Sequence, residues 1–121
     1  MPCQSILIVE DDAGISETLR LILETEGFTV FSAANGKEGL DILPTIPSPC
    51  LILLDLMMPV MDGWAFAEAI DKNAVLATIP IVVVTAFSEK ATTLKKANAV
   101  IKKPFDIDAL MNLVRQYCGR M

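Results

Sequence analysis

Short, largely apolar runs alternate with helix-like periodicities along this chain. The runs lie at residues 6–9, 28–31, 51–54, 81–84 and 99–101. Continuous apolar runs are typical of strands in a parallel sheet, which are buried on both faces. We therefore predict five strands at these positions, each far too short to span a membrane.

Between the predicted strands, apolar residues recur at three- and four-residue spacing, which predicts amphipathic helices. Five helices are expected, and each begins at a residue type that caps helix amino termini. These residues are Asp12, Asn35, Asp62, Ser88 and Asp106. We interpret Asp12 as the cap of the first helix and not as a residue with a direct chemical role. Gly27 is expected to end the first helix, and the second helix is expected to run through Leu43.

Strands that alternate with helices over short loops predict an α/β fold with a doubly wound parallel sheet. For five strands and five helices, the expected order is 2-1-3-4-5, the flavodoxin-like arrangement. A chain of 121 residues is long enough for one domain, residues 1–121, and too short for a second. In this order strand 1 lies beside strand 3, and ligands bind at the carboxyl ends of these strands.

Composition narrows the chemistry that such a fold can support. The chain has no histidine, which excludes a His-dependent triad and a His metal site. A net charge of -5 argues against nucleic acid as a partner. Because Cys3, Cys50 and Cys118 lack CxxC spacing, we expect reduced thiols rather than a disulfide framework or a zinc site. The amino terminus shows no signal sequence, so we expect a cytoplasmic protein without a membrane partner.

Polar residues follow four of the predicted strands, at the edge where parallel strands end together. Glu10 and Asp11 follow strand 1, Asp55 follows strand 3, Thr85 ends strand 4 and Lys103 follows strand 5. Each is an ordinary turn or strand-end residue when taken singly, but together they form a chemically matched set. Crowded carboxylates need a counter-charge, and an all-oxygen donor set favours a hard cation such as Mg²⁺. The lysine and the hydroxyl can bind a phosphoryl group that an Asp carboxylate accepts.

Specific motifs accompany these residues and extend over essentially the whole chain. The motifs are Asp55-x-x-x-Pro59-x-x-Asp62-Gly63, Thr85-Ala86 and Lys103-Pro104-Phe105. With the acidic residues after strand 1, they make the sequence resemble the receiver domain of bacterial two-component response regulators. The resemblance implies a regulatory phosphoacceptor rather than an enzyme.

The resemblance also implies a metal-dependent phosphorylation site. Asp55 would accept a phosphoryl group from a sensor histidine kinase or a phosphotransfer protein. Mg²⁺ would be held by Asp11, Asp55 and the backbone carbonyl of Met57, with Glu10 acting through water. Phosphorylation would then switch the binding of a downstream protein effector.

The resemblance implies that three further groups would bind the phosphoryl oxygens. These are the Thr85 hydroxyl, the backbone N–H of Ala86 and the Lys103 ammonium group. The resemblance further implies a cis peptide bond between Lys103 and Pro104.

Two departures from the receiver pattern fall on the face that receivers commonly use for output. Val100 stands where strand 5 usually carries a switching aromatic residue. The segment between Thr85 and Lys103 is several residues shorter than usual, which would shorten the fourth predicted helix by about one turn. We therefore expect an atypical partner surface.

Two further positions concern the lifetime of the phosphorylated state. In receivers, the residues two after the phosphorylated Asp and two after the Thr flank the path of the hydrolytic water. Here they are Met57 and Phe87, which can exclude water but cannot orient it by hydrogen bonding. We therefore predict slow hydrolysis of the aspartyl phosphate.

Three functions remain open at this stage. The first is a stand-alone phosphorylation switch, an expectation based on the three residues that follow the last predicted helix. The second is a receiver-like module that binds its partner without phosphorylation, which Val100 and the short fourth helix favour. The third is a phosphatase of the haloacid dehalogenase type, which needs a second Asp where this chain has Met57 and is therefore less expected.

Overall fold

The computed structural model describes residues 5–87, 90, 94 and 97–118, and strands and helices alternate along them. The strands are β1 (Ser5–Val9), β2 (Thr29–Ala33), β3 (Leu51–Leu54), β4 (Ile81–Thr85) and β5 (Ala99–Lys102). The α-helices of the described residues are α1 (Ala13–Thr25), α2 (Gly36–Ile42), α3 (Gly63–Asp71) and α4 (Ile107–Cys118). The predicted helix that begins at Ser88 and includes Ala91 falls mostly outside the described residues and stays a prediction.

All neighbouring strands pair in parallel, in the order β2-β1-β3-β4-β5. This confirms the predicted α/β fold and the predicted strand order. Within the described part of the chain, no helix is both long enough and apolar enough to cross a bilayer.

Apolar side chains of the sheet pack under helices on both faces. On one face, α1 and α4 cover the sheet through Leu19, Leu23, Leu110 and Val114. On the other face, α3 contributes Phe66, Ala67 and Ile70, and α2 packs alongside with Leu40. Successive residues of a strand point to opposite faces, so continuous apolar runs fill both layers.

The predicted amino-terminal caps of the described helices are confirmed by side-chain hydrogen bonds. Asp12, Asn35 and Asp62 each accept from the backbone N–H three residues later, at 2.9 to 3.0 Å. Asp106 accepts from the N–H of Asp108 at 3.1 Å. These bonds satisfy N–H groups that have no partner within the helix, and they fix where each helix begins.

Predicted strand boundaries were wrong by one or two residues at β1, β2 and β5, and the predicted end of the second helix was wrong by one. Two of these differences have a local reason. The second helix ends at Ile42, and Leu43 opens a 3₁₀ turn, because Pro44 lacks an N–H and cannot continue an α-helix. Phe28 lies outside β2, in the turn that closes the end of α1, because its N–H donates to the carbonyl of Leu23 at 3.1 Å. Gly27, with φ of 93°, makes this helix ending possible and stops α1 as predicted.

Candidate functional site

The ends of β1 and β3 set two of the predicted acids side by side. Val9 pairs with Leu54 in the sheet, so Glu10 and Asp55 follow at the same level. The N–H of Asp55 donates to the carbonyl of Val9 at 2.9 Å, which extends the pairing by one residue. Both acids therefore leave the sheet at its carboxyl edge, in adjacent positions.

The ends of β4 and β5 bring the other two predicted residues to the same edge. Thr85 pairs with Lys102, and the N–H of Lys103 donates to the carbonyl of Thr85 at 2.8 Å. The peptide bond between Lys103 and Pro104 is cis, as the receiver resemblance implied.

Three carboxylates form a cluster at this edge. Glu10, Asp11 and Asp55 each offer an oxygen atom, and these atoms lie within 4.8 Å of one another. Glu10 and Asp55 are 5% and 7% exposed, whereas Asp11 is open to solvent. A donor set of oxygen atoms alone, partly open to water, fits Mg²⁺, which is held by few carboxylates and keeps several waters.

The ammonium group of Lys103 lies among these acids. Its Nζ donates to Oε1 of Glu10 at 2.5 Å and lies 3.7 Å from Oδ2 of Asp55. The other oxygen of Asp55, Oδ1, accepts from the N–H of Leu56 at 2.9 Å. The half-buried Lys103 thus pairs with two of the three carboxylates, and one positive charge against three acidic groups leaves an excess of negative charge.

Burial of Glu10 has a strong electrostatic effect. The pKa of Glu10 is raised to about 7, mainly by loss of solvent and in smaller part by the nearby charge of Asp55. Hydrogen bonds from Lys103 and from the backbone N–H of Asp12 lower the same pKa, but burial outweighs them. A bound cation would relieve this cost, because it favours the ionised carboxylate.

Thr85 reaches the site edge as a fully buried residue. Its Oγ1 accepts from the N–H of Phe87 at 3.1 Å, which leaves the hydroxyl hydrogen available for donation. Ala86 lies between these two residues. Phosphoryl binding by the backbone N–H of Ala86 and Mg²⁺ binding by the backbone carbonyl of Met57 both stay predictions.

The loop after Asp55 contains a strained turn that the sequence did not predict. Val60 has φ of 67°, a conformation that β-branched residues rarely adopt. The N–H of Met61 donates to the carbonyl of Pro59 at 2.7 Å, which closes a three-residue turn around Val60. The carbonyl of Met61 accepts from the N–H of Gly36 at 3.0 Å and ties this loop to α2. Pro59 and Asp62 signalled a loop, but valine gave no signal for a positive φ.

Gly63, the first residue of α3, packs directly against the predicted phosphoacceptor. A Cβ at this position would lie 2.5 Å from the carbonyl oxygen of Asp55, closer than real Cβ contacts come. The N–H of Gly63 also donates to the carbonyl of Leu56 at 2.9 Å. In the Asp62-Gly63 pair, Asp62 caps α3, and Gly63 lets the start of this helix lie close to the backbone of Asp55.

Comparison with known proteins decides the family. The pattern of the response regulator receiver domain matches residues 6–115. The chain belongs to the response regulator receiver domain family. Members of this family are generally regulatory rather than catalytic.

Individual relatives of this receiver domain differ in length. Sporulation initiation phosphotransferase F of Bacillus subtilis is 37% identical over 121 residues, which cover 94% of this chain and 93% of that protein. Response regulator Rre1 of Synechocystis is 34% identical over 96% of this chain, which spans about half of that protein, 52%. Response regulator protein TrrA of Thermotoga maritima is 30% identical in sequence, and its crystal structure in complex with Mg²⁺ and BeF superposes on this chain with a TM-score of 0.85. The match covers 94% of this chain and 98% of that one.

Proposed function

We propose that Asp55 of this receiver domain accepts a phosphoryl group from a histidine kinase or a phosphotransfer protein, with Mg²⁺ bound at the acidic cluster. The observation that carries this proposal is the convergence of Glu10, Asp11, Asp55 and Lys103 at one edge of the sheet. Two relatives add support: one is named a phosphotransferase, and the other was solved with Mg²⁺ and BeF.

In this proposal Asp55 acts as the nucleophile. Its Oδ1 is held by the N–H of Leu56, and its Oδ2 faces Lys103. A carboxylate oxygen forms a bond to phosphorus while the bond between phosphorus and the donor's imidazole nitrogen breaks, and that nitrogen keeps the electron pair. The product is an aspartyl phosphate on a residue that is nearly buried.

The surrounding groups stabilise the transferred charge. Mg²⁺, when bound, neutralises and orients the phosphoryl oxygens. Asp11, Asp55 and the carbonyl of Met57 would hold the ion, with Glu10 acting through water. The Lys103 ammonium group, the Thr85 hydroxyl and the Ala86 N–H would bind the phosphoryl oxygens.

Phosphorylation would act on the binding of a downstream protein. Val100, where receivers usually carry an aromatic switch residue, lies on the edge strand β5 and is 41% exposed. A valine cannot swing between exposed and buried positions as an aromatic ring can. The same observation favours a second candidate function, a module that binds its partner whether or not Asp55 is phosphorylated.

A small phosphodonor tests the first function directly. Phosphoramidate carries a phosphorus–nitrogen bond like that of a phosphohistidine, and incubation with Mg²⁺ is expected to add the mass of one phosphoryl group to the intact protein. Asp55→Asn is expected to remove this gain. Asp41→Asn, a matched change at an exposed carboxylate on α2, is expected to keep it. Absence of labelling in the wild-type protein, or equal labelling of Asp55→Asn, would contradict the proposal.

A further inference from the structure

Two cysteines that are distant in sequence meet at the end of the sheet opposite to the acidic cluster. Cys50 immediately precedes β3, whereas Asp55 immediately follows it. Cys118 is the last residue of α4. Their Sγ atoms lie 2.6 Å apart, although 68 positions separate the two residues along the chain.

The surroundings of the two thiols differ in a way that suits sequential reaction. Cys118 is 5% exposed and packs into the core cluster under α1 and α4. Cys50 is half-buried, and its Sγ lies 3.1 Å from the carbonyl oxygen of Ser5. An oxidant would therefore reach Cys50 first, with Cys118 held beside it.

We propose that Cys50 and Cys118 form a redox-sensitive pair, which a hydroperoxide converts to an intramolecular disulfide. The Cys50 thiolate attacks one peroxide oxygen, the O–O bond breaks, and the other oxygen leaves as an alcohol or water. Cys50 is then a sulfenic acid. The Cys118 sulfur attacks it, an S–S bond forms, the S–O bond breaks, and the hydroxyl leaves as water with the remaining thiol proton. The two sulfurs together lose the two electrons that the peroxide gains.

The disulfide would fix the carboxyl-terminal end of α4 to the start of β3. One neighbouring contact already restrains this end of the helix: the hydroxyl of Tyr117 donates to the carbonyl of Asn98 at 3.2 Å. A covalent link across so long a segment greatly restricts the unfolded chain. The oxidised protein would therefore be more stable, while the acidic cluster at the far end of β3 keeps its residues unchanged.

Intact mass after treatment of the full chain with hydrogen peroxide tests the pair. The wild-type protein is expected to lose the mass of two hydrogen atoms, and peptide mapping without reductant is expected to show a link between Cys50 and Cys118. Cys3→Ser, the matched control at the third cysteine, is expected to behave like the wild type. Cys50→Ser and Cys118→Ala are expected to show neither the loss of two hydrogen atoms nor the linked peptide. Alanine is chosen at position 118 because that site is apolar.

Thermal unfolding provides the second measurement. Oxidation is expected to raise the Tm of the wild-type protein by roughly 5 to 10 °C, with full reversal by dithiothreitol, and to leave Cys118→Ala unchanged. A disulfide that persists in Cys50→Ser or disappears in Cys3→Ser would overturn the proposed pairing. Oxygen addition to a cysteine without a disulfide would overturn it equally. None of these measurements depends on phosphorylation of Asp55.

Discussion

Among the residues of the acidic cluster, Glu10 has a pKa that shows how strongly burial acts on a carboxylate of the site. The sequence placed Glu10 beside Asp55, but the sequence could not show that burial holds the pKa of Glu10 so far above its ordinary value. That pKa depends on how completely β1, β3 and Lys103 exclude water from one carboxylate. Such shielding is a property of the packed site and not of any local stretch of sequence.

The raised pKa of Glu10 makes the stability of the metal-free protein depend on pH. The unfolded chain ionises Glu10 near pH 4.5, whereas the folded protein keeps the proton to about pH 7. Over this interval the unfolded state binds fewer protons, so this group's contribution to the free energy of unfolding falls as pH rises. The contribution is fully present below pH 4.5 and is lost as pH rises through about 7.

Denaturant midpoints measured in EDTA across this pH range check the expectation. Glu10→Gln cannot ionise and is expected to lack the decline that the wild type shows. Glu17→Gln, a change at an exposed carboxylate of α1, is expected to keep it. A wild-type slope that survives in Glu10→Gln would assign the pH dependence to another group.

Met57 and Phe87 are the residues expected to set the lifetime of the aspartyl phosphate. Both are partly exposed, and neither can orient a water molecule by hydrogen bonding. If Asp55 is phosphorylated as proposed, the double variant Met57→Asn, Phe87→Glu is expected to lose the phosphoryl group about tenfold faster, less than a full general base provides. Decay in Mg²⁺ followed by intact mass measures this, and equal or slower decay in the variant would count against it.

At the scale of elements, the strands were predictable and the turns between them less so. The apolar runs matched β1, β3 and β4 best, because these strands are buried at every position, whereas the edge strands β2 and β5 are only partly buried. The end of α2 depended on the missing N–H of Pro44, and the position of Phe28 on one backbone hydrogen bond, and hydrophobic periodicity reports neither. The turn at Val60 could not be predicted, because valine disfavours the conformation that the loop imposes.

Relief of that strain is expected to stabilise the protein. Val60 is 78% exposed, so Val60→Gly removes the penalty of the positive φ with little loss of packing. We expect a gain of about 1 kcal/mol in the free energy of unfolding, after the greater freedom of glycine in the unfolded chain is subtracted. Chemical denaturation measures the change. Val75→Gly is the control: this exposed valine has φ of -73° and is expected to give no gain.

The start of α3 is expected to be sensitive to the smallest added side chain. Gly63→Ala would press a methyl group on the carbonyl of Asp55, and we expect a loss of about 2 to 3 kcal/mol in the free energy of unfolding. The comparable change Gly14→Ala, in the first turn of α1, meets only the side chain of Asp12 at 3.3 Å and is expected to have a small effect. Equal losses in the two variants would show that the contact with Asp55 is not the cause.

At the scale of the whole molecule, the strand order and the convergence of the site residues followed from the sequence. Once β1 and β3 were known to be adjacent, Glu10, Asp11 and Asp55 had to meet. The approach of Cys50 and Cys118 could not be predicted in the same way. It depends on how α4 lies across the sheet, and the spacing of the two cysteines gave no signal.

Binding of Mg²⁺ is expected to stabilise the domain as a unit. A ligand that binds the folded state at 100 times its Kd adds about 2.7 kcal/mol to the free energy of unfolding. As MgCl₂ is increased, the Tm of the wild-type protein is expected to rise, whereas the Tm of Asp11→Asn is expected to stay almost constant. In Asp12→Asn the rise is expected to persist, since asparagine caps α1 as well as aspartate does. A rise of equal size in Asp11→Asn would place the ion elsewhere.

Insertions and deletions are expected to have very different effects at the two ends of β3. Each residue advances a strand by about 3.3 Å and turns the next side chain to the opposite face. One residue inserted between Leu53 and Asp55 would carry the carboxylate away from Glu10 and reverse its direction, because Val9 and Leu54 are paired. One residue inserted in the connector between α2 and β3, which contains Pro44, Pro47 and Pro49, is expected to be absorbed by that loop. Natural variation in length among sequences of this fold is therefore expected before β3 and not between β3 and Asp55.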